Sequence, residues 1–265
     1  EGGFKVIRSQ VQIPGMPGSY GAEDKNDPDY ARSVAERLPY EGAWEPEPFI
    51  RTMPKLMAHL RAHVGWDVQM FFDAHGRLTP SEAARLMHDI EDYKLIYLED
   101  PIGPEHAPSM RRVRAGGTTP IAIGEIMSSR FEVLPMIIDQ SIDYMRCSPQ
   151  HIGGITEARK IAAIGEPHDV RTAYHGPGDI GTIGAAASAH VGMSIPNYGI
   201  QEWTPHPEIV REVMPPALAY DDGYLLLSDA PGLGVDINEE LAARFPYQRK
   251  YLPATRRADG SMHGY

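Results

Sequence analysis

Several chemistries are closed to this sequence by what it lacks. Its 265 residues include one cysteine, Cys147, so no disulfide can close within the chain, and nothing around that thiol suggests an activated nucleophile. No apolar run approaches the roughly 20 residues that span a bilayer. Basic residues are outnumbered, 25 Lys and Arg against 36 Asp and Glu, giving a net charge of -11 and a pI near 5.4. Such a balance argues against nucleic acid or an anionic membrane as a partner, since both need a basic face. It leaves an anionic small substrate open, because a metal and a few local Arg or His residues reverse the potential inside a cleft. The opening residues, Glu1-Gly-Gly-Phe-Lys-Val-Ile-Arg8, have neither the basic start nor the apolar core of a secretory signal. They read as the middle of a protein, and the expected location is the cytoplasm. Gly153-Gly-Ile-Thr-Glu157 lacks the P-loop lysine and the full dinucleotide fingerprint, so it reads as a tight strand-to-helix turn.

What the chain does have is three carboxylates at an identical interval of 26 residues, Asp73, Glu99 and Glu125. Each closes a short apolar run: Val68-Gln-Met-Phe-Phe-Asp73, Leu95-Ile-Tyr-Leu-Glu99 and Ile121-Ala-Ile-Gly-Glu125. That interval fits one strand plus one helix. In a barrel of parallel strands it brings three neighbouring C-terminal strand ends together, where barrel enzymes build their sites. Converging anionic oxygens repel one another unless a cation neutralises them, and an oxygen-only ligand set favours a hard ion, with Mg²⁺ the first candidate. The competing reading is that acidic residues after strands cap the next helix or face solvent. Three in register favour the metal.

Apolar runs bounded by turn residues predict seven strands, at 4–10, 68–73, 95–99, 121–125, 142–146, 170–174 and 198–202. Helical spacing follows at 81–93, 156–164 and 183–191, the first announced by Thr79-Pro80. Alternation of this kind indicates an α/β fold with a parallel sheet, and the strand-end carboxylates favour a closed barrel. A complete barrel needs eight strands, so either one is hidden or the chain starts after the first. We expect a catalytic barrel over 1–229, interrupted by a long active-site loop at 11–48 that is rich in Gly, Pro and charge. The segment 230–265 has little periodicity and is expected to pack on the barrel or on a capping domain.

Other residues at the same strand ends carry two readings each. His75, two residues past Asp73, points to the same side of an extended strand end. It can give a proton to a leaving group, or merely bond the following turn. Arg8 faces the site if the strand register is right, and is otherwise a surface arginine. Arg146 can hold a carboxylate bidentately, or pair at the rim. His175, Asp179 and Glu202 are either site residues or caps and turns. Tyr20, between small residues in the long loop, has no meaning of its own.

These residues resemble the enolase superfamily, and within it the mannonate dehydratase branch. The matching stretches run almost end to end: Phe4-Lys-Val-Ile-Arg-Ser-Gln10, Asp73-Ala-His-Gly-Arg-Leu-Thr-Pro80, Leu98-Glu-Asp-Pro101, Ile123-Gly-Glu125, Ile142-Asp-Tyr-Met-Arg146, Tyr174-His-Gly-Pro177, Pro196-Asn-Tyr-Gly-Ile-Gln-Glu202 and Tyr247-Gln-Arg-Lys-Tyr-Leu-Pro253. The resemblance implies a (β/α)₇β, TIM-like barrel in which Asp73, Glu99 and Glu125 bind Mg²⁺. The metal would stabilise an enediolate formed by removing the proton next to a sugar-acid carboxylate. It implies that Arg8 and Tyr20 act together as the base and that His75 is the acid that expels the β-hydroxyl. Arg146, His175, Asp179 and Glu202 then match substrate-contacting positions.

Family members carry an N-terminal capping domain and a first barrel strand ahead of the position where this chain begins. The expectation is therefore a fragment of a longer protein, with an open barrel edge. The expected function is Mg²⁺-dependent dehydration of D-mannonate or D-gluconate to 2-keto-3-deoxy-D-gluconate, by a hydro-lyase. Its expected partners are the sugar acid and further copies of the chain. The rival reading is a weakly active or inactive member that serves as a metabolite-binding or regulatory protein.

Overall fold

The computed structural model describes residues 3–10, 41–215, 218–247, 254–256 and 259. They fall into two compact units, Val6–Thr119 with Tyr247–Tyr265 and Glu1–Lys5 with Pro120–Pro246. Among the described residues no helix is long and apolar enough to cross a membrane.

The first unit runs through β1 (Val6–Ser9), β2 (Glu41–Ala43), α1 (Pro46–Val64), β3 (Gln69–Asp73), α2 (Pro80–Ile90), β4 (Leu98–Glu99) and α3 (Met110–Arg114). Strand β3 is parallel to β1 on one side and to β4 on the other, with Arg8 opposite Phe71 and Asp73 opposite Glu99. Met70, Phe71 and Phe72 are buried in succession, the continuous apolar run of a parallel strand covered on both faces. Of the stretch 11–48, the described residues from 41 onward form β2 and the start of α1. Pro46 and Pro48 lie in the first turn of that helix, where backbone N–H groups have no intrahelical acceptor to lose. From α1, Phe49, Ile50, Met53 and Met57 enter the core, and the Phe49 ring packs on Phe72 at 5.8 Å.

Helix α2 buries Ala83, Leu86, Met87 and Ile90, the i, i+3, i+4, i+7 stripe of an amphipathic helix. Its start is a capping box. The Glu82 N–H donates to the Thr79 hydroxyl at 3.4 Å, and the Thr79 N–H donates to the Glu82 carboxylate at 2.8 Å. Thr79→Ala should therefore cost about 1 kcal/mol. The check is a lower urea midpoint at unchanged m-value; an unmoved midpoint would show that the cap contributes nothing.

The second unit runs through β5 (Ile121–Ile123), α4 (Arg130–Ile138), β6 (Tyr144–Met145), α5 (Pro149–Ile152), α6 (Ile155–Gly165), β7 (Arg171–Tyr174), α7 (Gly181–Met193), β8 (Tyr198–Gln201), α8 (Glu208–Val213), β9 (Leu218–Asp221), β10 (Tyr224–Leu227) and α9 (Glu239–Ala242). Strands β5 to β8 pair in parallel in chain order. At Gly199 a Cβ would sit 2.5 Å from the Thr172 carbonyl, so only glycine allows β8 to approach β7 so closely. Strands β9 and β10 form an antiparallel hairpin. It turns at Asp222 and Gly223, with φ of 38° and 89°, the paired positive φ that a two-residue hairpin turn demands. Leu225 and Leu227 of this hairpin, with Trp203, Leu233 and Val235, pack on Ala185, Ala186 and Ala189 of α7. The chain returns to the first unit in β11 (Ala254–Arg256), parallel to β2.

Each of the seven strands expected from apolar runs is present, inside its expected limits. The α/β alternation is the expected one.

Candidate active site

In the first unit three strand ends carry the chemistry. Asp73, the last residue of β3, is buried and held by donors on both oxygens. Its Oδ1 accepts the His75 N–H at 2.7 Å, and its Oδ2 accepts from Gln10 Nε2 at 2.6 Å. The Arg8 guanidinium lies 4.0 Å from Oδ2. These contacts fix the direction of the carboxylate. Across the ladder, Glu99 ends β4 with 0% exposure and is followed by Asp100 at 1%. Two adjacent carboxyl groups at a strand end are hard oxygen donors of the kind that suits a divalent cation.

The loop after β3 is tied to the end of β4. The Ala74 N–H donates to the Glu99 carbonyl at 3.0 Å and the Gly76 N–H to the Asp100 carbonyl at 2.7 Å. Between them His75 is buried and adopts φ 55°, a left-handed conformation that costs a β-carbon residue energy and is often found at functional sites. Burial, then the cations of Arg77 and Arg8, push its imidazole down to about 4, so the ring is neutral near pH 7.

In the second unit Glu125, Arg146, His175 and Glu202 form one cluster, each from the end of a different parallel strand or the residues just past it. Arg146 is fully buried. Its Nη2 donates to Glu202 Oε2 at 2.6 Å and lies 4.0 Å from Glu125 Oε2. His175 Nε2 is 3.2 Å from that same Glu125 oxygen. The Gly176 N–H adds a second bond to Glu202 Oε2, at 3.1 Å. A Cβ at Gly176 would stand 2.2 Å from the Glu202 carbonyl, so the glycine permits this approach. Upstream, Gly124 takes φ 137°, and a Cβ there would stand 3.2 Å from the Cys147 nitrogen; the turn that delivers Glu125 needs that freedom.

Of the expected residues, Arg8, Asp73, His75 and Glu99 thus converge in one unit, and Glu125, Arg146, His175 and Glu202 in the other. Asp179 lies in the short turn Gly178–Ile180, its side chain outside the described residues, as is the whole of Tyr20. Two neighbours went unnoticed in the sequence. His151 Nδ1 is 3.0 Å from the Glu125 carbonyl and, since a carbonyl only accepts, donates to it; its ring lies 6.2 Å from that of His175. Arg77 flanks His75 and lies 5.8 Å above the Trp44 ring. Neither has a local signature, because each is placed by tertiary packing. Asp100, next to Glu99 in Leu98-Glu-Asp-Pro101 and 1% exposed, was also given no role by the sequence.

A family model described as enolase C-terminal domain-like matches residues 30–241. A D-mannonate dehydratase of Caulobacter vibrioides is 42% identical over 263 residues, covering 99% of this chain and 65% of that protein. A D-galactonate dehydratase family member of Streptomyces bingchenggensis is 41% identical, covering 99% of this chain and 64% of that protein. Among solved structures, an enolase from Pantoea ananatis with bound D-gluconate and Mg superposes with a TM-score of 0.87 at 39% identity, covering 100% of this chain and 66% of that one. The chain spans 65% of the length of the Caulobacter relative.

Proposed function

The chain belongs to the enolase C-terminal domain-like family, and from that premise we propose that it dehydrates a sugar acid, D-mannonate or D-gluconate, to 2-keto-3-deoxy-D-gluconate in the cytoplasm. The observation that carries this reading is the buried Arg146, set between Glu125 and Glu202 at strand ends. The names of the similar proteins, a D-mannonate dehydratase, a D-galactonate dehydratase family member and an enolase with D-gluconate and Mg, support the substrate class.

Asp73, Glu99 and Glu125 would hold Mg²⁺. The donor set fits, since all three are buried carboxylates, hard oxygen ligands suited to that ion. When bound, Mg²⁺ supplies positive charge against the carboxylate and so lowers the acidity barrier at its α-carbon.

The remaining steps belong to the chain. Tyr20, assisted by Arg8, takes the α-proton, and the C–H electron pair enters the new double bond. His75 gives a proton to the β-hydroxyl, which leaves as water with the C–O electron pair. The resulting enol tautomerises to the 2-keto-3-deoxy acid. Burial, helped by the cations of Arg77 and Arg8, holds the free imidazole of His75 neutral. To act as the acid the ring must take up a proton when substrate binds, and a substrate carboxylate opposing the two arginine cations favours that uptake. Arg146 adds fixed positive charge where the dianion develops, while His175, Asp179 and Glu202 contact the polyol.

A panel of sugar acids, assayed with Mg²⁺ and with a chelator, tests this. Keto-acid formation from D-mannonate or D-gluconate, abolished by the chelator, is expected. Binding of those acids without turnover would instead identify a metabolite-binding protein and sink the catalytic reading.

A further inference from the structure

Helix α1 exposes two histidines, His59 and His63, on the side away from its core stripe. Residues four apart on a helix stand one above the other, and here the rings lie 4.1 Å apart at their centroids, inclined by 36°. His63 Nδ1 is 2.7 Å from the His59 carbonyl oxygen. A carbonyl accepts only, so in the neutral ring Nδ1 carries the hydrogen and Nε2 keeps its lone pair. That is the arrangement of a metal-ligating histidine, whose second nitrogen is anchored on a backbone carbonyl.

We propose that His59 and His63 form a two-imidazole site for one transition-metal ion, Zn²⁺, Ni²⁺ or Cu²⁺, with water completing the shell. The i, i+4 spacing is the one by which a helix presents two imidazoles to a single ion. Nitrogen donors select these metals, whereas carboxylates and water suit Mg²⁺, so the site is chemically distinct from the carboxylate set. Its position also favours a cation. His63 immediately precedes Val64, the last residue of α1, and the helix macrodipole is negative there. The other cation of that turn, Arg61, faces inward and donates to backbone carbonyls. An ion across the pair clamps the last two turns of α1, and stabilises the fold in proportion to its occupancy.

The test is titration of the protein with Cu²⁺, read by electron paramagnetic resonance, and with Zn²⁺, read by calorimetry, both in saturating Mg²⁺ to fill the oxygen site. One equivalent should bind with hyperfine coupling to two nitrogens, and Zn²⁺ should raise the melting temperature. Loss of even a supporting partner of a ligand weakens metal binding about tenfold or more, so His59→Ala and His63→Ala should each cost at least that and lose the two-nitrogen signature. His88→Ala, at an exposed position on α2, should leave binding unchanged. Both test positions face solvent, so matched metal-free melting curves confirm that the variants fold. Signatures unchanged in either variant, equal loss in His88→Ala, or oxygen-only coupling would mean an adventitious ion only and overturn the proposal.

Discussion

Replacing His75 by Asn should lower dehydration by about 10² to 10⁴, the usual worth of a positioned acid, while α-proton exchange with deuterated solvent survives. Tyr20→Phe should abolish both. The contrast separates the two proton transfers: without the base no enediolate forms, whereas without the acid the enediolate forms and can only be reprotonated. Exchange survives in His75→Asn provided the Tyr20 proton swaps with solvent before it returns. The Asn substitution suits the backbone, because φ is 55° at this position and Asn tolerates the left-handed region. The backbone N–H that donates to Asp73 is kept as well. Nuclear magnetic resonance in D₂O follows α-deuteration and keto-acid formation in one sample. Robust exchange in Tyr20→Phe would overturn Tyr20 as the base and make His75 the leading candidate.

How much of this was legible in the sequence depended on whether the signal was local. Buried parallel strands announce themselves as apolar runs, so all seven were found, though their ends were overestimated. The run at 95–99 keeps only Leu98–Glu99 as strand, yet the Ile96 N–H already donates to the Met70 carbonyl at 2.9 Å. Chain direction turns there at Lys94, with φ 48°. The start of α1 was hidden by Pro46 and Pro48, read as loop composition when both occupy a first helical turn that tolerates proline. The hairpin at 218–227 was missed despite Asp222-Gly223, the strongest short-range turn signal available. In the site, strand-end spacing pointed to Asp73, Glu99 and Glu125, while Arg146 and Glu202 were named for their places at strand ends and given site roles only by the resemblance. The Arg146 contact with Glu202 spans 56 residues and is fixed by ladder register, which no local pattern encodes.

Arg61→Ala is expected to destabilise the fold well beyond the loss of the α2 cap in Thr79→Ala. Arg61 is buried near the end of α1, and its planar guanidinium serves four carbonyls. Nε donates to Tyr93 at 2.9 Å, Nη1 to Gly65 at 3.1 Å and Val68 at 3.0 Å, and Nη2 to Lys94 at 3.1 Å. One side chain thus fastens the helix exit, the approach to β3 and the turn ahead of β4, while the Trp66 ring covers it at 4.7 Å. Burial lowers its pKa from the ordinary arginine value, but the group stays charged, and charged donors make the stronger hydrogen bonds. Alanine leaves four acceptors to find water in a space shaped for a side chain. Because each bond to a charged group is worth about 1.5–3 kcal/mol and such terms are not additive, the loss should be about 3 kcal/mol or more. For a chain of this size that corresponds to a melting temperature lower by roughly 6–12 °C. Arg61→Lys should recover only part of it, since an ammonium offers three donors from one point and cannot span the fork. Melting of Arg61→Ala within about 2 °C of the parent would mean that water replaces the guanidinium at little cost. A lysine variant as stable as the parent would show that charge alone, and not the planar fork, holds these three segments together.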